Sequence, residues 1–534
     1  MLFGVLGGAA LFGVAYAFAC YSLRGRWTWA VPPALAAWTA IALLDAPLVG
    51  TGAWLYVPAL GAPLAGYALL RWSFEDRRRG GKAAKHAEHA LGPWALLRRA
   101  IVRQAASRAP SSAQAYVLGV NKQGFPVRVR FGREAGRHQF LVGASGSGKT
   151  NALLLTLSRH IAAGFATICI DFKGERNVVQ TLKHQAAASG RPFYRFTLEG
   201  GDRWNPLRRG TRSELKDKLI ASEEFTERHY QAMYERYLLN LFSVLEARAA
   251  VPDLGTVVRL IDADELSLAC REVDDEERAD QVSGYLASLT SDQRRQLRGL
   301  QDRLALAIEG DGGDRLLPGG KLEREIDLLD TIEQQAVVVF SLNASRFPQT
   351  ARLVGAFLAQ DLKAVCGALE DEPLAKRPSI VAVDEFSALA ADHLAGLFQR
   401  ARSARMSLLL STQEVADLRR VESGFEHQVI GNCEIILAGR QTVPESAELL
   451  AGITGTREVW EHTFQTDHRL GTRKQGPGQS GLGTMARGEE FVVHPNALKR
   501  LKTGEAMVIT QDPHEARLVT VNRCQPQPSE ERTP

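Results

Sequence analysis

The stretch 139-QFLVGASGSGKTNALLL-155 decides how the chain is read. An apolar run leads into a glycine-rich turn with one lysine and one threonine, and a second apolar run follows. Gly143, Ala144, Ser145, Gly146, Ser147, Gly148, Lys149 and Thr150 fit G-x-x-x-x-G-K-[ST]. Glycines let consecutive backbone N–H groups turn inward around phosphate oxygens. Lys149 can reach β- and γ-phosphates, the Thr150 hydroxyl can hold Mg²⁺, and the helix beginning there points its positive end at the anion. The spacing therefore predicts a strand, a phosphate loop and a helix, with residues 143–150 contacting a nucleotide.

On either side the pattern is that of an α/β sheet. Upstream, 116-YVLGV-120 and 126-PVRVRF-131 alternate about the turn 121-NKQG-124. Downstream, 151-NALLLTLSRHIAAG-164 reads as a helix closed by glycine, and 165-FATICID-171 as a buried parallel strand. Strands resume at 336–344, 379–386, 406–413 and 435–440, with helices at 350–368, 391–405 and 414–422 between them. From 207 to 330 the spacing is helical instead, with a capping box at Thr211-x-x-Glu214 and one long helix over 281–310. After 455 the chain is glycine-rich and polar, and 471–488 reads as a mobile loop. A helix and a strand follow within 491–510, then a hairpin return at 517–521 and a disordered tail at 523–534.

A phosphate loop needs a carboxylate at the end of a neighbouring strand. The strand 380-IVAV-383 ends in Asp384, suited to the Mg²⁺ shell, and Glu385, suited to polarise water as general base. The strand 406–413 ends in Gln413, which can sense a γ-phosphate or cap the next helix. Arg402 and Arg405 precede that strand. An arginine there can stabilise transition-state charge across a subunit contact, or lie on an ordinary surface.

The first seventy residues are of a different kind. Residues 2–23 carry no charge, and about twenty residues at roughly 1.5 Å each cross a hydrocarbon core of about 30 Å. Further apolar runs cover 27–44 and 51–70. The first lacks the basic leader and cleavage site of a signal peptide. Arg24 and Arg26 follow the first run, and Arg71, Arg77, Arg78 and Arg79 follow the third, so three crossings place both basic sets in the cytoplasm. Two crossings result if Pro32, Pro33, Pro58 and Pro63 interrupt the later runs. Residues 76–115 read as a basic juxtamembrane linker.

The 534 residues exceed one domain, and 45% hydrophobic with 23% charged content suits a packed body. A net charge of +5 is too mild to mark a nucleic-acid surface. Six scattered cysteines without C-x-x-C fit free thiols and argue against a zinc site.

Together these pieces resemble the FtsK/HerA branch of P-loop motor ATPases, and most closely the type IV secretion and conjugation coupling proteins of the TraD/TraG kind. The resemblance rests on His138 ahead of 143-GASGSGKT-150, 171-DFKGE-175, 204-WNPL-207, the helical insertion, 383-VDEFSAL-389, 402-RSARMSLLLSTQ-413 and 503-TGEAMVI-509. It implies a RecA-like P-loop domain over 116–206 and 331–522, with an all-α domain inserted at 207–330 and transmembrane helices over 1–75. It implies ATP and Mg²⁺ as cofactors, with Lys149, Glu385, Gln413 and Arg402 catalytic. Arg402 would act in trans, and Thr150 and Asp384 would hold the metal. It further implies a homo-hexamer at the bacterial inner membrane with its ATPase body in the cytoplasm. The ring would drive DNA, single-stranded on the family's pattern and carrying a relaxase or other protein, toward a secretion channel. The residues alone are compatible with either strandedness, with an FtsK-like pump, with a protein-only secretion motor, or with a scaffold that hydrolyses little. Two departures stand out. Arg405 sits where a small residue is usual, and three spans with almost nothing outside replace two spans enclosing a periplasmic segment.

Overall fold

The computed structural model describes residues 114–122, 124–222, 228–320, 323–371, 377–388, 391–466 and 479–524. The expected membrane anchor, nearly all of the linker, residues 471–478 of the expected loop and all but the start of the tail lie outside the described residues. Among the described residues no helix is long and apolar enough to cross a membrane.

Alternating apolar strands and helices produce a twelve-stranded mixed sheet. Its centre is parallel: β3 (Gln139–Val142), β4 (Ala166–Asp171), β5 (Phe193–Thr197), β9 (Val337–Ser341), β10 (Ser379–Asp384), β11 (Met406–Thr412) and β12 (Ile435–Ala438) lie in the order β12-β3-β11-β10-β4-β9-β5. β3, β4, β10, β11 and β12 are buried at every residue, which is why they read as continuous apolar runs. Antiparallel strands extend the β12 edge: β15 (Glu505–Gln511), β16 (His514–Val521), β1 (Ala115–Asn121) and β2 (Pro126–Arg130). The two-residue β6 (Gly200–Gly201) closes the other edge.

Helices cover both faces. Ile380, Ala382 and Leu409 pack with Leu153, Leu157 and Ile161 of α1 (Lys149–Ala162) and with Val178 and Leu182 of α2 (Arg176–Ala188). The alternate residues Val381, Val383, Leu408 and Leu410 join the opposite core. That second core continues into the helical segment.

The helical segment leaves and re-enters through a short parallel clasp. β7 (Arg203–Trp204) pairs with β8 (Glu325–Ile326), Arg203 opposite Glu325 and Trp204 opposite Ile326. Between them run α3 (Arg212–Ala221), α4 (Arg228–Ala247), α5 (Leu254–Leu260), α6 (Ala263–Cys270), α7 (Glu276–Ala287) and α8 (Ser291–Glu309). Thr211 and Glu214 form the capping box that starts α3. The ammonium of Lys218, fully buried on α3, donates to Pro206 O, Arg209 O and Asp361 Oδ1 at 2.9, 2.7 and 2.7 Å. Asp361 lies on α10 (Pro348–Asp371), which follows α9 (Leu328–Glu333), so this buried pair ties the helices to the sheet.

Three local expectations change. The helix expected over 281–310 is two, because Thr290 and Gln293 form a second capping box that starts α8. The polar stretch expected as a loop contributes residues 479–488 to a strand. β13 (Thr456–Thr466) and β14 (Gln479–Phe491) pair antiparallel from Thr456–Phe491 to Thr466–Gln479, and this cross-strand pairing overrides the weak strand preference of the glycines. β5 had no counterpart among the expected strands. The remaining helices are α11 (Ala391–Ser403), α12 (Ala416–Val421), α13 (Phe425–Asn432), α14 (Pro444–Ile453) and α15 (Pro495–Lys499).

Two buried histidines make the fold acid-sensitive. His160 is fully buried against Tyr116, Phe131 and Phe165, and burial lowers its pKa to about 4. His138 bridges Phe398 O and the Leu408 N–H, and burial lowers it likewise to about 4. The unfolded chain takes up protons near pH 6.5 whereas the folded one resists until about 4. Their stabilisation is therefore full above about 6.5 and is lost as pH falls toward 4. We expect a decrease of about 1–2 kcal/mol per histidine between pH 7 and pH 5. Urea unfolding of His160→Phe against wild type should show a shallower pH slope, and equal slopes would refute the assignment.

Candidate functional site

Four adjacent strands end in one row. Register sets Val142 of β3 opposite Thr412 of β11, and Asp384 of β10 opposite both Ser411 and Asp171. The loop after β3 therefore lies at the same edge as Asp384, Glu385 and Gln413. Arg402 does not, because it ends α11 just before β11 begins and so sits at the opposite edge of the sheet.

The loop is held by its neighbours. Gly143 N–H donates to Thr412 O, and Ala144 N–H to Arg440 O. From the other side Thr503 Oγ1 donates to Gly146 O and Gly504 N–H to Ser147 O. The role of 503-TG-504 as a support beneath the loop could not be read locally, since 357 residues separate Thr503 from Gly146. Gly146 and Gly148 adopt left-handed φ of 73° and 101°, a conformation that other residues adopt only at a cost. Gly148 also begins α1 without any side-chain cap, and no acidic residue sits in the first turn. Among the described residues no side chain caps that helix terminus, so it is suited to an anion.

Polar atoms converge here that make no hydrogen bond with the described residues. Among the described residues, Ser147 Oγ, Lys149 Nζ, both carboxylate oxygens of Asp384, Ser411 Oγ and Thr412 Oγ1 are buried with no hydrogen-bond partner. Each such group costs about 1–3 kcal/mol if left so, which fold stability alone does not explain. Burial lowers the Lys149 pKa to about 8, opposed by the charge of Glu385. Asp171 is pushed up to about 6, first by burial and also by Asp384, while the backbone N–H groups of Glu175 and Lys173 pull it back. Glu385 has φ 60°, a strained left-handed conformation for a non-glycine residue, and Gln413 Nε2 donates to its Oε2 at 3.2 Å. Thr150, half-buried, is the second residue of α1.

On the other edge Arg402 and Arg405 are exposed. The Gly136 N–H donates to Arg402 O at 3.2 Å and fixes the end of α11. Arg405 occupies a left-handed position, φ 57°, which accounts for the small residue expected there. Among the described residues no cluster of three or more His, Cys, Asp and Glu suited to a metal ion occurs, and the five described cysteines are free. A cleft of about 570 Å³ opens beside the row of strand ends, lined by Arg176, Arg195, Asn343 and Arg346 among others. None of the site residues expected from the sequence lines it.

A phosphate chain should be the natural occupant of the loop. Pyrophosphate is expected to raise the melting temperature of the wild-type protein by about 2–4 °C and that of Lys149→Ala by much less. An equal rise in both would show that the loop is not where the anion binds.

Residues 378–503 match the family described as the TraM recognition site of TraD and TraG. No curated protein matches the chain at significance. Among solved structures, the bacterial conjugative coupling protein TrwB lacking its N-terminal region, unbound, aligns with TM-score 0.54 and 16% identity over 80% of this chain and 93% of that one. The trigonal form with sulphate aligns with TM-score 0.55 and 16% identity over 81% and 94%. The TrwB complex with ADP and Mg²⁺ aligns with TM-score 0.54 and 15% identity over 81% and 94%. In fold over most of its length, and in sequence over 378–503, this chain is similar to coupling proteins of the TraD/TraG kind.

Proposed function

We propose that the chain is an ATP-driven motor of the conjugative coupling type, anchored to the inner membrane by residues 1–75, which transfers DNA toward a secretion channel. The observation that carries this reading is the set of buried polar atoms without a hydrogen bond, Lys149 Nζ and the Asp384 carboxylate above all, at the ends of adjacent parallel strands. These are the donors and acceptors that a magnesium–nucleotide complex requires, and the residues present fit it. The family match over 378–503 and the TrwB structures, one with ADP and Mg²⁺ and one with a non-hydrolysable ATP analogue, support the same assignment.

In this reading residues 143–150 wrap the phosphates with backbone N–H groups, and Lys149 offsets their charge. Thr150 and Asp384 would hold Mg²⁺, which when bound supplies positive charge against that developing on the phosphoryl oxygens. Glu385 takes the proton of the attacking water, and Gln413, already bonded to Glu385, aligns that water with the γ-phosphate.

Arg402 requires a second subunit. β11 has seven residues, and at about 3.3 Å each it separates Arg402 from Gln413 by roughly 20 Å. Arg402 cannot reach the phosphates bound by its own subunit, so the trans role implies a closed ring with each site at a subunit contact. We assign a hexamer to this ring. The α3–α8 segment, 207–330, is the inserted domain that receives substrate on the cytoplasmic side. The substrate is single-stranded DNA with its bound protein.

The test is ATP turnover of the full-length protein in detergent or nanodiscs. Glu385→Gln should lower turnover by about 10²–10⁴-fold while nucleotide binding persists, and a scaffold would hardly change. Mixing inactive Lys149→Ala with inactive Arg402→Ala subunits should restore activity to about a quarter of wild type, the share of contacts that pair two intact halves. Mixtures that stay inactive would refute the shared site. Single-stranded DNA should stimulate turnover more than duplex, and no stimulation by DNA would point to a protein-only motor.

A further inference from the structure

Residues 171-DFKGE-175, between β4 and α2, have no task in the hydrolytic step described above, yet they lie against its two acids. Asp171 is fully buried. Its Oδ1 accepts the Lys173 N–H at 2.9 Å and its Oδ2 the Glu175 N–H at 2.7 Å, which folds the segment into a tight turn. Gly174 takes φ 72°, and a Cβ there would stand 2.8 Å from Asn343 Cβ, so only glycine fits. Glu175 then takes the N-cap position of α2 without a side-chain capping bond. The turn delivers one side chain to the strand ends. Lys173 Nζ lies 3.3 Å from Glu385 Oε2 and 3.6 Å from Asp384 Oδ2.

That position has a consequence for the acids. Asp384 is 2% exposed, and neither carboxylate oxygen has a hydrogen bond. Among the described residues Lys173 is the cation in ion-pair range of it. On Glu385 the same oxygen, Oε2, receives both Lys173 and Gln413. Two adjacent carboxylates, one of them buried, also repel unless a positive charge stands between them.

We propose that Lys173 is a positioning residue that serves as resting countercharge for Asp384 and Glu385, and that it yields this place to Mg²⁺ and moves onto the nucleotide phosphates. This rests on the reading of the strand ends as a magnesium–nucleotide site. A divalent cation on Asp384 brings like charge against the ammonium, and the phosphates offer it a new partner. Glu385 thereby keeps its Lys173 partner at rest and loses it when metal and nucleotide are both bound. A compact ammonium on a flexible four-carbon stem suits a group that must exchange partners.

The proposal is tested with the full chain stripped of metal, without reading catalysis. Metal-free Lys173→Met should melt below wild type, and Mg²⁺ alone should raise its melting temperature more. The Mg²⁺ concentration that half-saturates binding of a fluorescent ADP analogue should fall about tenfold, the order expected on removing a competing unit charge in contact with the metal's ligands. Lys173→Arg should behave as wild type. In an Asp384→Asn background the same Lys173→Met change should leave the Mg²⁺ requirement unaltered, because the carboxylate for which Lys173 and the metal compete has lost its charge. An unchanged or higher Mg²⁺ requirement in Lys173→Met overturns the proposal while leaving the site intact. A wild-type protein that binds no ADP analogue removes the site itself, and the proposal with it.

Discussion

The parallel pairing of β3, β11, β10 and β4 is the constraint on which the rest depends. Residues 142, 171, 384 and 412 are far apart in the chain, and backbone hydrogen bonds bring them into one row. Because each of these strands is buried on both faces, a slip of register by one residue would turn every apolar side chain to the wrong layer. The site therefore takes its precision from the packing of the whole sheet. That packing must also absorb two carboxylates, Asp171 and Asp384, at 0% and 2% exposure. Asp171 is compensated by two backbone donors and Asp384 by one nearby ammonium. The desolvation left over at Asp384 is what makes its carboxylate ready for a cation.

Backbone strain is distributed in the same way. Glu385 and Arg405 both hold left-handed φ without being glycine. Each follows or precedes a central strand by one residue, at opposite edges of the sheet. At Glu385 the reversal brings the carboxylate to Gln413 on the neighbouring strand and to Lys173 on the next connection. At Arg405 it ends α11 and starts β11, so an arginine occupies a place where glycine would be cheaper. Strain of about 1–3 kcal/mol at such positions is sustained by the buried strands on either side.

Much of this was legible because its chemistry is local in sequence. The phosphate loop, the acids ending β10 and the glutamine ending β11 each announce themselves within a few residues. So did the order of strands and helices, since central strands show as unbroken apolar runs. The features that escaped notice depend on distant partners. The hairpin of β13 and β14 is written in glycines and charges, and only pairing across the two strands makes it regular. The break between α7 and α8 is marked by Thr290 and Gln293, a signal weaker than the helical periodicity around it. The tasks of Thr503 and Gly504 under the loop, and of Lys173 over the acids, follow from tertiary contacts that no spacing rule contains. The apolar N-terminal runs, plain in the sequence, lie outside the described residues.

β11 ties these observations to a mechanism for a ring. One end of this strand carries Gln413, bonded to Glu385, and the other follows directly from Arg402. Its seven residues are all buried, Leu409 to Ser411 are paired on both sides by β3 and β10, and the strand cannot lengthen or bend there without breaking two ladders. His138 adds a cross-brace, since its ring joins Phe398 O on α11 to the Leu408 N–H on β11. A displacement imposed at the Gln413 end must therefore reappear at the Arg402 end as movement of a nearly rigid body. In the proposed ring the Arg402 end would belong to the next subunit's site, and the state of one nucleotide would be felt at the neighbouring one through a single strand. Coupling of this kind needs two discrete positions of a packed element, not a chain of small adjustments. The partner exchange at Lys173 supplies the local event that would select between them.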